Sequence, residues 1–153
     1  MAQTCARSCP RGNALRRRLG SIVGEWLPLV VWMAVIYWLS DQPKLPHPAR
    51  KLGLSDYLFD YSSHAFTFGL LTWLAWRVLR GALSPLPWAR RSWALGLAGV
   101  FAALYALLDE IHQMFVPGRW ASPKDWAADM VGVALALGLL ALLEIGPRRG
   151  AKG

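Results

Sequence analysis

Four apolar blocks, each of about 18–25 residues, set the limits on what this chain can fold into. That is the length an α-helix needs to cross the hydrocarbon core of a bilayer, about 30 Å thick. A soluble core would spread its apolar residues along the chain at helix or strand period. A transmembrane barrel would alternate them with period two, and no such alternation is visible. At 153 residues, 55% of them hydrophobic, the chain has room for one domain. The expected fold class is all-α: a polytopic transmembrane bundle of four helices, at about 22–40, 62–79, 92–115 and 124–145. One helical domain over residues 21–146 then lies between basic tails at 1–20 and 147–153.

The net charge of +8 points to the membrane and not to nucleic acid. The basic residues fall in short segments between the apolar blocks, and no basic face with interleaved stacking residues is present. Twelve Lys and Arg lie in the N-terminal tail, the second loop and the C-terminal tail, against five in the first and third loops. By the positive-inside rule both termini are cytoplasmic, with four spans. Ile22–Ser40 is long for a signal-peptide core, and Trp38-Leu39-Ser40 offers no small-x-small cleavage site, so it reads as a retained span. Pro28 falls in its first turns, where a missing N–H matters less. Cys5 and Cys9 lie in the cytoplasmic tail and are expected as reduced thiols.

The connections add detail. His47, between Pro46 and Pro48, reads as an exposed loop residue, and Leu52–Phe59 as a short amphipathic piece on the membrane surface. Small residues recur every four positions in the third block (Ala98, Ala102, Ala106; Gly99, Ala103) and in the fourth (Ala128, Gly132, Ala136). Such stripes let helices approach closely in lipid, and the second is expected to face the third helix. Pro117-Gly118 breaks the third helix. Ser122 is placed to cap the fourth, with Pro123 at its first position and Asp125 in its first turn.

One polar cluster interrupts this pattern. Asp109-Glu110-Ile111-His112-Gln113 sits at the end of the third block, and ionisable groups at membrane depth mark functional sites by default. The orientation above brings seven of the nine acids to the outer face. Asp60 and His64 (i,i+4), Glu110 and Gln113 (i,i+3), and Asp125 and Asp129 (i,i+4) each share a helix face. Glu110, seven residues before Pro117, should lie on the order of 10 Å below the loop. The candidate site is therefore Asp60, His64, Asp109, Glu110, Gln113, Arg119, Asp125 and Asp129, centred on Glu110, Gln113 and Arg119. The bland alternative is a polar network that only ties helix ends together.

Three motifs in order carry a resemblance: Asp60-Tyr-Ser-Ser-His64-Ala-Phe-Thr-Phe68-Gly-Leu, then Leu108-Asp-Glu110-Ile-His-Gln113-Met-Phe-Val-Pro117-Gly118-Arg119, then Asp125-x3-Asp129-x2-Gly132. Together they resemble the VanZ-like membrane proteins over about residues 37–140. The resemblance implies a multi-pass protein of the bacterial inner (cytoplasmic) membrane and cell envelope, in a family whose founding member is linked to resistance to the glycopeptide teicoplanin. Tyr61 stands where the family usually has Lys, and Asp129 where it usually has Asn, which makes this site more negative.

Three classes of function fit these residues. In the first, the site binds a lipid-linked cell-wall precursor or a lipoglycopeptide, and Arg119 grips a carboxylate or phosphate through its planar fork. In the second, the protein is a membrane-embedded hydrolase or transferase on such a substrate. His64 or Glu110 is then the general base, and Arg119 stabilises an anionic transition state. No Ser or Cys lies in a nucleophile motif. A proton-coupled transporter is the third, but no charged ladder continues toward the cytoplasmic half. No cofactor is implied. No metal is expected either, because His64, His112, Glu110 and Asp129 lack a ligand spacing. The partners are the lipid bilayer and the envelope ligand, not nucleic acid.

Overall fold

A computed structural model describes residues 10–43, 56–85 and 91–145. Four helices follow one another: α1 (Pro10–Ser40), α2 (Asp56–Leu83), α3 (Arg91–Gln113) and α4 (Pro123–Ile145), with no strand among the described residues. They alternate in direction. The end of α1, the start of α2, the end of α3 and the start of α4 meet at one end of the bundle, while Glu25 of α1 approaches Gly81 of α2 at the other.

Among the described residues three stretches are long and apolar enough to cross a membrane: Val23–Ser40, Ser92–Gln113 and Pro123–Leu143. Their outward faces carry Val30, Leu104, Leu135 and Leu142, all exposed, as lipid contact requires and water would penalise. α2 does not meet that measure, although it was expected to span like the others. Its place explains why. α2 touches all three other helices and buries Phe68, Leu71, Thr72, Leu74, Ala75, Trp76 and Val78. A helix lined by protein needs less lipid-soluble surface, so it can carry His64, Thr67 and Thr72, while the exposed Ser62 and Ser63 near its start donate to the Phe59 and Asp60 carbonyls. The Thr72 hydroxyl is satisfied by the Phe68 carbonyl one turn back, at 2.7 Å.

Helix boundaries differ most at the first two helices. α1 starts at Pro10 and not near residue 22, through Ala14, Leu15 and Arg16–Arg18, all strong helix formers. Pro28 consequently sits inside α1 and not in its first turns, and cannot donate to the carbonyl four residues earlier. α2 starts at Asp56, so residues 56–59 of the expected surface piece belong to it; its residues 52–55, like His47, Cys5 and Cys9, lie outside the described residues.

Close approach fixes the packing. Ala94, Ala98, Ala102 and Ala106 form a buried stripe on α3, and Leu137 of α4 reaches Gly99. Gly132 faces α2, not α3 as expected. A Cβ there would lie 1.9 Å from the Ala65 carbonyl oxygen, so only glycine permits this crossing. On α2, Gly69 in turn meets the Gly132 backbone, and α4 packs more extensively on α2 than on α3. α1 is held to its neighbours by side-chain donors: Trp32 Nε1 to the Thr67 carbonyl (3.0 Å) and the Tyr105 hydroxyl to the Met33 carbonyl (2.9 Å).

Candidate functional site

The site is built where the four helix ends converge. α3 ends at Gln113, and a tight turn through Gly118, whose φ of 82° suits glycine, sends the chain back into α4. Ser122 caps α4 as its position suggests: the Asp125 N–H donates to its hydroxyl at 3.3 Å, and the Asp125 and Trp126 N–H groups to its carbonyl.

Adjacent residues on α3 serve different neighbours, because successive side chains point about 100° apart around a helix. Asp109 turns toward α1. Its Oδ1 accepts from the Ser40 hydroxyl (2.6 Å) and its Oδ2 from Gln113 Nε2 (3.0 Å), so both carboxylate oxygens are engaged. Glu110 turns toward α4, where its Oε2 accepts the Ser122 backbone N–H at 2.7 Å. Its other oxygen is buried without a hydrogen-bond partner. Asp129, fully buried on α4, accepts from or shares a proton with His64 Nδ1 of α2 at 2.9 Å; its Oδ2 is likewise unpartnered.

Arg119 does not pair with Glu110. Its Nε donates to the Gln42 carbonyl (3.0 Å) and its Nη2 to the Leu39 carbonyl (3.1 Å). These carbonyls lie at the end of α1, where helical carbonyls lose their partners and a cation is favoured. The expected centre of Glu110, Gln113 and Arg119 is thus divided. Gln113 belongs with Asp109 and Ser40, Arg119 with the end of α1, and Glu110 with the start of α4. His112 stands apart from all three. Its ring lies against Tyr37, with centroids 4.7 Å apart, and its Nε2 is 3.5 Å from Asp41 Oδ1.

Between these groups lies an open pocket of about 840 Å³. Asp60, His64, Asp109, Gln113, Arg119 and Asp125 of the expected site line it, together with Ser40, Tyr57, Tyr61 and Thr67. Glu110 and Asp129 are not among the lining residues and stand behind it, 6% and 0% exposed. Ser40 and Ser122 are the polar partners that sequence reasoning did not place in the site. The available signal for Ser40 was a hydroxyl at the end of an apolar run.

Chemically, the pocket offers three carboxylates, one guanidinium and one imidazole around neutral donors. A hydrogen bond from His64 Nδ1–H to Asp129 leaves Nε2 as the basic nitrogen, the usual effect of a carboxylate behind a histidine. Among the described residues no three His, Cys, Asp or Glu side chains converge as metal ligands would.

The VanZ/LLP1 family model matches residues 25–144, from within α1 to the penultimate residue of α4. Nothing matches among curated proteins or among solved structures.

Proposed function

Because this chain belongs to the VanZ/LLP1 family, we propose that it works as a multi-pass protein of the bacterial inner membrane. Its polar end faces outward, and its pocket binds the polar part of a lipid-linked cell-wall precursor or of a lipoglycopeptide. The observation that carries this reading is the convergence of Asp60, His64, Asp109, Gln113, Arg119 and Asp125 on one open pocket at one end of an otherwise apolar bundle. A ligand rich in hydroxyls, amides and amines suits this mixture of acceptors and donors. A role in teicoplanin-type glycopeptide resistance is part of this proposal, supported by the resemblance to a family whose founding member is linked to it.

Orientation rests on the twelve-to-five asymmetry of Lys and Arg between the two sides. Reporter fusions at residues 50 and 85 should label opposite sides of the membrane, with residue 50 outside. The site itself is tested by teicoplanin susceptibility of cells carrying His64→Gln or Asp125→Asn. Both variants should lose the phenotype while the purified protein melts near the wild-type temperature. Wild-type susceptibility in both would defeat the reading.

One observation favours a second reading, a hydrolase or transferase on a lipid-linked envelope substrate. The His64–Asp129 pair has the arrangement of a general base and its orienting carboxylate. Under this reading a radiolabelled lipid-linked precursor incubated with the purified protein yields a cleaved or transferred product. Under the binding reading it is recovered intact.

A further inference from the structure

Beside the polar pocket, along the outward-facing seam of α2 and α4, runs a second recess of about 520 Å³. Leu58, Tyr61 and Ala65 of α2 form one wall, and Lys124, Ala127 and Val131 of α4 the other. On each helix these positions are three or four residues apart and make one stripe. The recess exists because alanines stand where longer side chains would fill the seam between Leu58 and Val131.

Two features tie this groove to the pocket. Tyr61 lines both, so it is the wall between them. On α4, Lys124 of the groove is next to Asp125 of the pocket. The two spaces differ in polarity: the groove is mainly apolar with one cation at its polar end, whereas the pocket sets acids, an amide and a guanidinium among residues such as Ile36, Leu39 and Phe68. The groove is also short. Lys124 to Val131 spans on the order of 10 Å along the helix, about a third of the hydrocarbon core. That length suits the upper part of a hydrocarbon chain. A partner helix would seek contact along the whole span.

We propose that groove and pocket form one bipartite site for a phosphate-headed membrane lipid. The chain lies along the α2–α4 groove, Lys124 meets the phosphate, and the remainder of the headgroup passes Tyr61 into the polar pocket. This rests on the pocket being a ligand site, as proposed above, and names the ligand class as an amphiphile held by both of its parts.

The experiment is native mass spectrometry of the full-length protein in detergent, with phosphatidylglycerol as probe and diacylglycerol, which lacks the phosphate, as control. Wild-type protein should retain one phosphatidylglycerol per chain in preference to diacylglycerol. Ala127→Phe fills the groove from an exposed position, so it should keep the melting temperature and lower retention by about tenfold, equivalent to 1.4 kcal/mol. Lys124→Ala should remove most of the preference over diacylglycerol. Phosphatidylglycerol retention unchanged by Ala127→Phe overturns the proposal, whatever His64→Gln does to teicoplanin susceptibility. So does an Ala127→Phe variant that keeps its lipid but has a lower oligomeric state than the wild type, which would make the groove a contact between copies. Retention lost in Ala127→Phe alongside a silent His64→Gln defeats the pocket reading, and the bipartite site fails with it through its pocket half and not through its groove.

Discussion

The polar end of the bundle and the body beneath it are held by different physics. At the polar end, helices are joined by side-chain hydrogen bonds: Ser40 to Asp109, His64 to Asp129, and the Ser122 N–H to Glu110. In the body α2, α3 and α4 are joined by backbone proximity, with Gly132 on Ala65, Gly69 on Gly132 and the alanine stripe of α3, and only α1 is tied by side-chain donors, Trp32 and Tyr105. Lipid tails are as apolar as leucine, so burial of apolar side chains between helices in a membrane gains little and close packing must supply the cohesion. The body is therefore sensitive to added volume. The polar end is sensitive to mismatched donors and acceptors, and it is where a ligand can be recognised.

The sharpest test of this contrast is Gly132→Leu. With a Cβ already 1.9 Å from a backbone oxygen, α2 and α4 cannot keep their crossing, and the expected outcome is loss of folded protein in detergent. A Gly132→Leu protein that melts near the wild-type temperature would show that backbone proximity does not hold the body together.

A smaller effect is expected at the polar end. Asp109→Leu removes the acceptor of the Ser40 hydroxyl and leaves Gln113 only its 3.5 Å contact to Ser40, and at about 1 kcal/mol for each weakened buried group the cost should be up to about 2 kcal/mol. Asp109→Asn retains an acceptor for Ser40, and Gln113 can turn its amide oxygen toward the new NH₂, so its cost should stay below about 1 kcal/mol. Denaturation of both variants in the same detergent measures the difference. Equal costs would mean that hydrogen-bond matching is not what joins α1 to α3.

Ser122→Ala removes the side-chain cap of α4 but leaves the backbone N–H that Glu110 accepts, so about 1 kcal/mol should be lost. A much larger loss would assign the Glu110 contact to the hydroxyl and not to the backbone. The smallest effect is expected at the opposite end, where Arg80 lies over the Trp76 ring at 4.5 Å. Arg80→Ala at this exposed position should cost no more than about 1 kcal/mol by thermal melting. A cost matching Asp109→Leu would erase the distinction between the two ends.

The same contrast decides what could be read without coordinates. α3 and α4 were legible almost to the residue, because Pro117-Gly118 and Ser122-Pro123 punctuate them with residues whose backbone needs are specific. The start of α1 was not, since a basic stretch of good helix formers looks the same as a solvated tail. α2 was recognised as a helix, but its central position was hidden by treating its polarity as a property of its ends. For the candidate site, helical spacing supplied axial height and placed the eight residues near one level. It left azimuth open, and azimuth determines partners. Asp109 and Glu110 are neighbours in the chain, yet one serves α1 and the other α4. The Gly132 stripe shows the same gap: its smallness was visible, and the helix it faces was not.

The bonds at the end of α1 also set a schedule for synthesis. Ser40 emerges with the first helix, but its partner Asp109 is 69 residues downstream, and the Arg119 guanidinium that takes the Gln42 and Leu39 carbonyls is 77 and 80 residues away. Glu110 and the Ser122 N–H are only 12 residues apart, so α3 and α4 can join as soon as the turn between them is made. The Glu110 bond can close at once, α1 can already meet α2 through Trp32 and Thr67, and only the bonds at the end of α1 wait for α3 and its turn. Until α3 and its turn arrive, the Leu39 carbonyl keeps only the Gln42 N–H at 3.3 Å, and the Ser40 hydroxyl lacks its Asp109 acceptor. A ribosome stalled before Asp109 would therefore leave α1 inserted but unclosed.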